Sequence, residues 1–299
     1  HTVFGLPVGP TWQVGIIAVV TVLFVTSAVS GVARGVKLLS VGNLIAAAAL
    51  AGVVFVLGPT VHIIDTFTNS LGGYASEFVR MSLRLTPFRD SSWVGSWTIF
   101  YWAWWLAWSP FVGLFIARVS RGRTIREFVL GVVIAPTLVA FLWFSIFGGA
   151  ALSLEIFQGA PLADVAAKDS SLALFAMLQQ LPLATLTSII GTLLVVVFFV
   201  TSGDSATLVL ATMSHGGADN PPHRSKIIWG VLIAGIAAAL LLAGGVQAVQ
   251  TASIVFALPF TVVVVLMAVA LVRAIRADWE ADQKRQRALR RRMEQLVQP

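Results

Sequence analysis

"WTIFYWAWWLAWSPF", Trp97 to Phe111, puts five tryptophans, one tyrosine and two phenylalanines into fifteen residues and then passes a proline. The stretch carries no charge and sits inside an apolar run from about 93 to 118. A helix needs about 20 mostly apolar residues to cross a bilayer. This segment therefore reads as a membrane span, and its aromatic content asks what such a span is built to hold.

The rest of the chain agrees with that medium. Of its 299 residues, 58% are hydrophobic and 11% charged. Soluble domains carry roughly 25% charged residues. The mean hydropathy is +0.89. Seven spans are predicted, at about 14–32, 38–60, 93–118, 128–152, 184–213, 226–244 and 252–275, which makes an all-α integral membrane protein. Residues 1–277 form its transmembrane domain and 278–299 a basic cytoplasmic helix or tail. The segment from His62 to Leu85 mixes apolar residues with Asp65, Glu77, Arg80 and Arg84, too polar to cross. It reads as an interfacial amphipathic helix or as a loop with one short helix. "LALFAMLQQLP", before the fifth span, reads as a hairpin or re-entrant turn.

Cysteine is absent, which excludes disulfides and thiolate metal sites. His1, His62, His215 and His223 lie in polar stretches, without a metal-ligand spacing, and read as solvated loop residues. Basic residues cluster at Arg34 and Lys37, at Arg118, Arg121, Arg123 and Arg126, at Arg224 and Lys226, and in the tail. These sites alternate with basic-poor connections near 60–95, 153–183 and 245–251, so all of them fall on one side, the cytoplasm. Seven spans with the C-terminus inside place His1 outside, and an odd number of further spans is expected upstream.

On a helix Trp97, Tyr101, Trp104, Trp105 and Trp108 recur at steps of three and four and share a face, while Trp102 points elsewhere. Pro110 removes a backbone donor and is expected to kink the span. A face of indoles with no acidic residue suits a large, weakly hydrated cation such as a quaternary ammonium, each ring contributing about 0.5–2 kcal/mol. Helix packing and interfacial anchoring are its other uses.

The segment "WTIFYWAWWLAWSPFVGLFIARVSRGRTIREF" resembles the signature of the betaine–choline–carnitine transporter family, and the likeness continues through "WFSIFGG" (143–149) and "FFVTSGDSATLVLATMS" (198–214). The resemblance implies a leucine-transporter-like inverted repeat with broken helices, of which this chain would be spans six to twelve, without the N-terminal spans. It implies a secondary transporter in the cell membrane: sodium-coupled symport of a trimethylammonium compatible solute, glycine betaine first, for osmotic protection. The alternative is sodium-independent choline- or carnitine-type uptake or exchange. Trp104, Trp105 and Trp108 match the family's substrate-pathway tryptophans, with Trp105 at the central site, and Phe100 matches an aromatic that contacts substrate. Thr201 and Ser202, with the carbonyl of Phe198, match one sodium site, and Phe111 a residue near a second. Sodium is thus the implied coupling ion, with no organic cofactor, and a homotrimer the implied assembly, with segment 62–85 contributing to its contacts.

Other readings stand beside or against that one. Hydroxyls in a membrane helix commonly bond back to the i−4 carbonyl, so Thr201 and Ser202 have a structural use as well. Asp204, the acidic residue deep in a span, has Arg118 as a candidate gating partner. The tail residues Arg285, Arg287, Arg290, Arg291 and Arg292 suit anionic lipid, either as a topology anchor or as an osmotic regulator, and not nucleic acid. An enzyme would have only Asp204 with Ser205, and no histidine in a span to act as base. A channel would need a polar-lined pore.

Overall fold

The computed structural model describes residues 5, 7, 9–30, 33–86, 88, 93–218 and 220–297, with side chains outside 33–36, 118–119 and 291–297. Among these residues no strand occurs. Seven helices are long and apolar enough to cross a membrane: α1 (Pro10–Ser30), α2 (Ala33–Leu57), α4 (Phe100–Val119), α5 (Ile125–Gln158), α8 (Ala184–Ser214), α9 (His223–Gly244) and α10 (Val246–Val297). Between them lie α3 (Thr60–Ser82), α6 (Leu162–Lys168) and α7 (Ala173–Leu178). The chain is an all-α, multi-pass membrane protein, and each predicted span has its helix. Large apolar side chains such as Val263, Leu266 and Leu271 stay exposed on these helices, as suits a surface whose solvent is hydrocarbon.

Two compact units make up the chain, one from residues 1–85 and 117–243, the other from 86–116 and 244–299. In the first unit α2, α5 and α8 pack together, with α1 on α8 and α3 along α5. Its core gathers Leu50 and Val54 of α2, Ala150 and Leu154 of α5, and Met177 and Leu178 of α7. The "LALFAMLQQLP" piece forms the short helix α7 and a turn before α8, with Met177 and Leu178 only 2% and 0% exposed.

Segment 62–85 resolves to one amphipathic helix, α3. Gly149 lets it approach α5 closely, since a Cβ there would stand 3.0 Å from Thr66 Oγ1. His62, read from sequence as solvated, is instead half-buried in this contact. Its Nδ1 lies 2.7 Å from Ser153 Oγ and its ring stacks on Phe157 at 4.7 Å. Tyr74 packs edge-on against Phe141 at 5.1 Å.

Local chemistry fixes the helix ends. Thr124 and Glu127 form a reciprocal cap at the start of α5, and Gly159 closes it at a φ of 69°, where glycine carries no Cβ penalty. The Glu155 carboxylate accepts the backbone N–H groups of Leu162 and Ala163 at 2.6 and 2.9 Å, which caps α6. Asp169 accepts from the Ser171 hydroxyl and N–H at 2.6 and 2.9 Å, and these bonds hold its carboxyl below the usual carboxylate range. The last helix continues without a break from Val246 through the basic tail to Val297.

Candidate functional site

The aromatic face is built in the second unit. A π-helical turn, Val94–Ile99, leads directly into α4, and wide turns of this kind are frequent at functional sites. Trp97 and Tyr101 stack at 5.7 Å with their planes 4° apart. Phe100 and Trp104 stack at 5.9 Å and 16°. Trp105 and Trp108 meet edge to face at 5.7 Å and 72°. The structure thus pairs Trp104 with Phe100 and Trp105 with Trp108, the four substrate residues expected from sequence. Trp105 is 61% exposed and Trp108 42%, so both rings present free faces.

α4 stays helical through Pro110, the position where a kink is expected. Proline at this position leaves the carbonyl four residues earlier, Leu106, without its backbone donor. The Ser109 hydroxyl donates to that carbonyl at 3.0 Å and so supplies a substitute donor. Phe111 lies half-exposed in the next turn.

The hydroxyl-rich segment belongs to the first unit. It is carried inside α8, which is helical throughout. Phe198, Thr201, Ser202 and Ser205 fall on one face by helical spacing. Thr201 donates to the Val197 and Phe198 carbonyls at 2.9 and 3.1 Å, and Ser205 donates to the Thr201 carbonyl at 2.9 Å. Back-bonding therefore accounts for the Thr201 proton, while the lone pairs of its oxygen remain available. Ser202 is exposed and makes no hydrogen bond among the described residues. The Phe198 carbonyl and the Thr201 and Ser202 hydroxyls, the oxygens expected from sequence, fall within about one helical turn of α8.

Asp204, one turn further, is half-buried and lies in the electrostatic reach of Lys226 at the start of α9. The Arg118 side chain, its expected partner, lies outside the described residues. Lys226 was counted in the sequence only as a topology charge. Its Nζ donates to the Ala28 carbonyl of α1 at 2.8 Å, 198 residues away, and nothing local in the sequence signals that bond. In the tail, Arg285, Arg287 and Arg290 are exposed on α10, and the side chains of Arg291 and Arg292 lie outside the described residues.

Seven apolar helices make this a membrane-spanning chain, with an acid-free aromatic face on α4 in one unit and a group of hydroxyls on α8 in the other. The chain belongs to the betaine/carnitine/choline transporter family, whose pattern matches residues 1–280. It is 47% identical over 274 residues to the glycine betaine transporter OpuD of Bacillus subtilis, covering 91% of this chain and 53% of that protein. It is 45% identical over 286 residues to an ectoine/hydroxyectoine transporter of Virgibacillus pantothenticus, covering 95% and 57%. A glycine betaine/proline/choline transporter of Vibrio parahaemolyticus is 42% identical over 274 residues, covering 91% and 49%. The chain spans about half the length of these relatives.

Proposed function

We propose that the protein is a sodium-coupled symporter of a trimethylammonium compatible solute, glycine betaine first, working in osmotic protection with its basic tail in the cytoplasm. The observation that carries the substrate class is the α4 face. Trp104 on Phe100 and Trp105 against Trp108 offer aromatic surfaces to a cation with no N–H to donate, and α4 itself carries no carboxylate. A protonated amine or a metal ion would favour an acidic site instead. Relatives named for glycine betaine and choline support the same class.

Sodium coupling rests on α8. The Phe198 carbonyl and the Thr201 and Ser202 hydroxyls hold the oxygens that sodium prefers, and a cation there would replace the hydrogen bond between Thr201 and Phe198. The family resemblance assigns Phe111 to the vicinity of a second sodium site. The homotrimer and the contact of Arg285, Arg287, Arg290, Arg291 and Arg292 with anionic lipid complete this reading.

Uptake of radiolabelled glycine betaine into proteoliposomes, with and without an inward sodium gradient, tests it. Sodium-driven uptake that Trp105→Ala weakens and Ser202→Ala makes less sensitive to sodium is the expected result. Uptake indifferent to sodium would replace symport with exchange and leave Thr201 and Ser202 as helix-bonding residues.

A further inference from the structure

Helices α1, α8 and α9 of the first unit meet at one crowded point beside the hydroxyl pair. Phe24 of α1 is 1% exposed, and its ring is seated against Gly203 of α8, the residue immediately after Ser202. A Cβ at Gly203 would stand 2.8 Å from Phe24 Cδ1, 2.9 Å from Cγ and 3.3 Å from Cδ2. The same ring reaches α9, where a Cβ at Gly230 would stand 3.4 Å from Phe24 Cε2 and 2.3 Å from Val25 Cγ2. Two glycines on two helices thus make the notch that one phenylalanine fills.

One turn along α1 from Phe24, the Lys226 ammonium fastens the end of the helix by donating to the Ala28 carbonyl at 2.8 Å. That carbonyl is among the last four of α1, which have no partner inside the helix, and a cation is favoured at that end of the helix dipole. Thr207, four residues after Gly203, departs from the habit of its neighbours. It is fully buried, yet its hydroxyl has no hydrogen-bond partner among the described residues. Its oxygen lies 3.6 Å from the position of a Gly230 Cβ. The junction is therefore packed by shape, not tied by side-chain hydrogen bonds along α8.

We propose that Phe24, held in the Gly203–Gly230 notch with α1 fastened by Lys226, is the positioning device that sets the rotation and depth of α8 at Thr201 and Ser202, and so sets affinity for the coupling cation. The inference rests on the sodium-coupled reading of α8. Interiors are close-packed and respond to added volume by shifting helices. The atoms that a methyl at Gly203 would meet include the root of the ring, Cγ, which a rotation of the ring cannot remove. The helices must part, and Ser202, one residue away, moves with them.

The test measures the sodium concentration for half-maximal betaine uptake, the betaine KM at saturating sodium, and thermal stability, all in the intact protein in proteoliposomes. Gly203→Ala is expected to raise the half-saturating sodium concentration about tenfold, equivalent to about 1.4 kcal/mol, with a smaller change in betaine KM. Adding Phe24→Ala should bring that concentration back toward wild type, because it removes the atoms in collision. Where Gly203→Ala fails to fold, Phe24→Ala alone, which adds no atom, should raise the half-saturating concentration severalfold. A loss of thermal stability with sodium affinity unchanged in the folded variants overturns the positioning role and leaves symport standing. Wild-type uptake indifferent to sodium overturns symport and this inference with it.

Discussion

Replacing Trp105 by alanine removes one ring from the pair that stands edge to face with Trp108 at 5.7 Å. A cation over an aromatic face gains about 0.5–1 kcal/mol at an exposed site and about 2 kcal/mol or more when desolvated. At about 1.4 kcal/mol per factor of ten, the expected loss of glycine betaine affinity runs from about twofold to about thirtyfold. A bound substrate excludes water from its own contact face, which favours the upper part of that range. Alanine also frees the Trp108 ring from a contact of about 0.5–1.5 kcal/mol, so Trp105→Phe is the companion variant, keeping a π face while removing the indole. The decisive assay compares glycine betaine with 3,3-dimethylbutanoate, which keeps the shape and carboxylate but replaces the cationic nitrogen with carbon. Competition against radiolabelled betaine should show Trp105→Ala costing betaine severalfold more than its tert-butyl isostere, which lacks the cationic nitrogen. Equal losses for the two ligands would refute the cation–π account and leave Trp105 as a purely steric wall.

Three further outcomes follow from the geometry. Ser109→Ala leaves the Leu106 carbonyl beside Pro110 without its donor, which should cost about 1–3 kcal/mol and lower the Tm in detergent, while Ser109→Thr keeps the bond; an unchanged Tm in the alanine variant would show that the hydroxyl does not replace the missing N–H. His62→Ala loses both the Ser153 bond and the Phe157 stack, a loss of about 1–2 kcal/mol that should appear as faster proteolysis across 60–82; because Ser153→Ala breaks the same bond, the double variant should cost less than the sum of the singles. Deleting residues 284–299 removes Lys284 and the five tail arginines, each worth about 1 kcal/mol near an anionic bilayer. Uptake should then stop responding to osmolality, and a preserved response would return the tail to a topology anchor.

Much of the fold was legible because membrane spans announce themselves locally. About twenty apolar residues suffice to call a helix, and every predicted span lies on one, from Pro10–Ser30 to the start of Val246–Val297. The edges were harder for a physical reason. The limit of the hydrocarbon is not the limit of the helix, and with no glycine or proline between Arg273 and Val297 α10 has nothing to stop it. The aromatic face was legible too, since pairs three and four residues apart on one helix meet without help from the rest of the chain. What stayed hidden depends on distant partners. His62 looked solvated because its neighbours in sequence are polar, but Ser153 lies 91 residues on. The donor that serves the Leu106 carbonyl beside Pro110 stayed hidden too, because it depends on which carbonyl the Ser109 hydroxyl faces. Lys226 looked like one more inside charge, and its bond to Ala28 spans most of the chain.

The two halves of the proposed cargo fall on separate compact units, the aromatic face in one and the hydroxyl segment in the other. Symport needs more than two sites. The binding of one cargo must change the affinity for the other, and that coupling is reciprocal. If sodium raises betaine affinity by some factor, betaine must raise sodium affinity by the same factor. A ligand shifts a conformational equilibrium only by its differential affinity for the two states, so neither the tryptophans nor the Thr201–Ser202 oxygens can produce coupling alone. The positional freedom of α8 then becomes the quantity that matters. A hydroxyl pair on a loosely seated helix could bind sodium without transmitting it, whereas one braced by Phe24 between Gly203 and Gly230 must move with α1 and α9 or not at all. The glycines are in that sense as specific a requirement as the hydroxyls, because they allow the bracing ring to sit where it does.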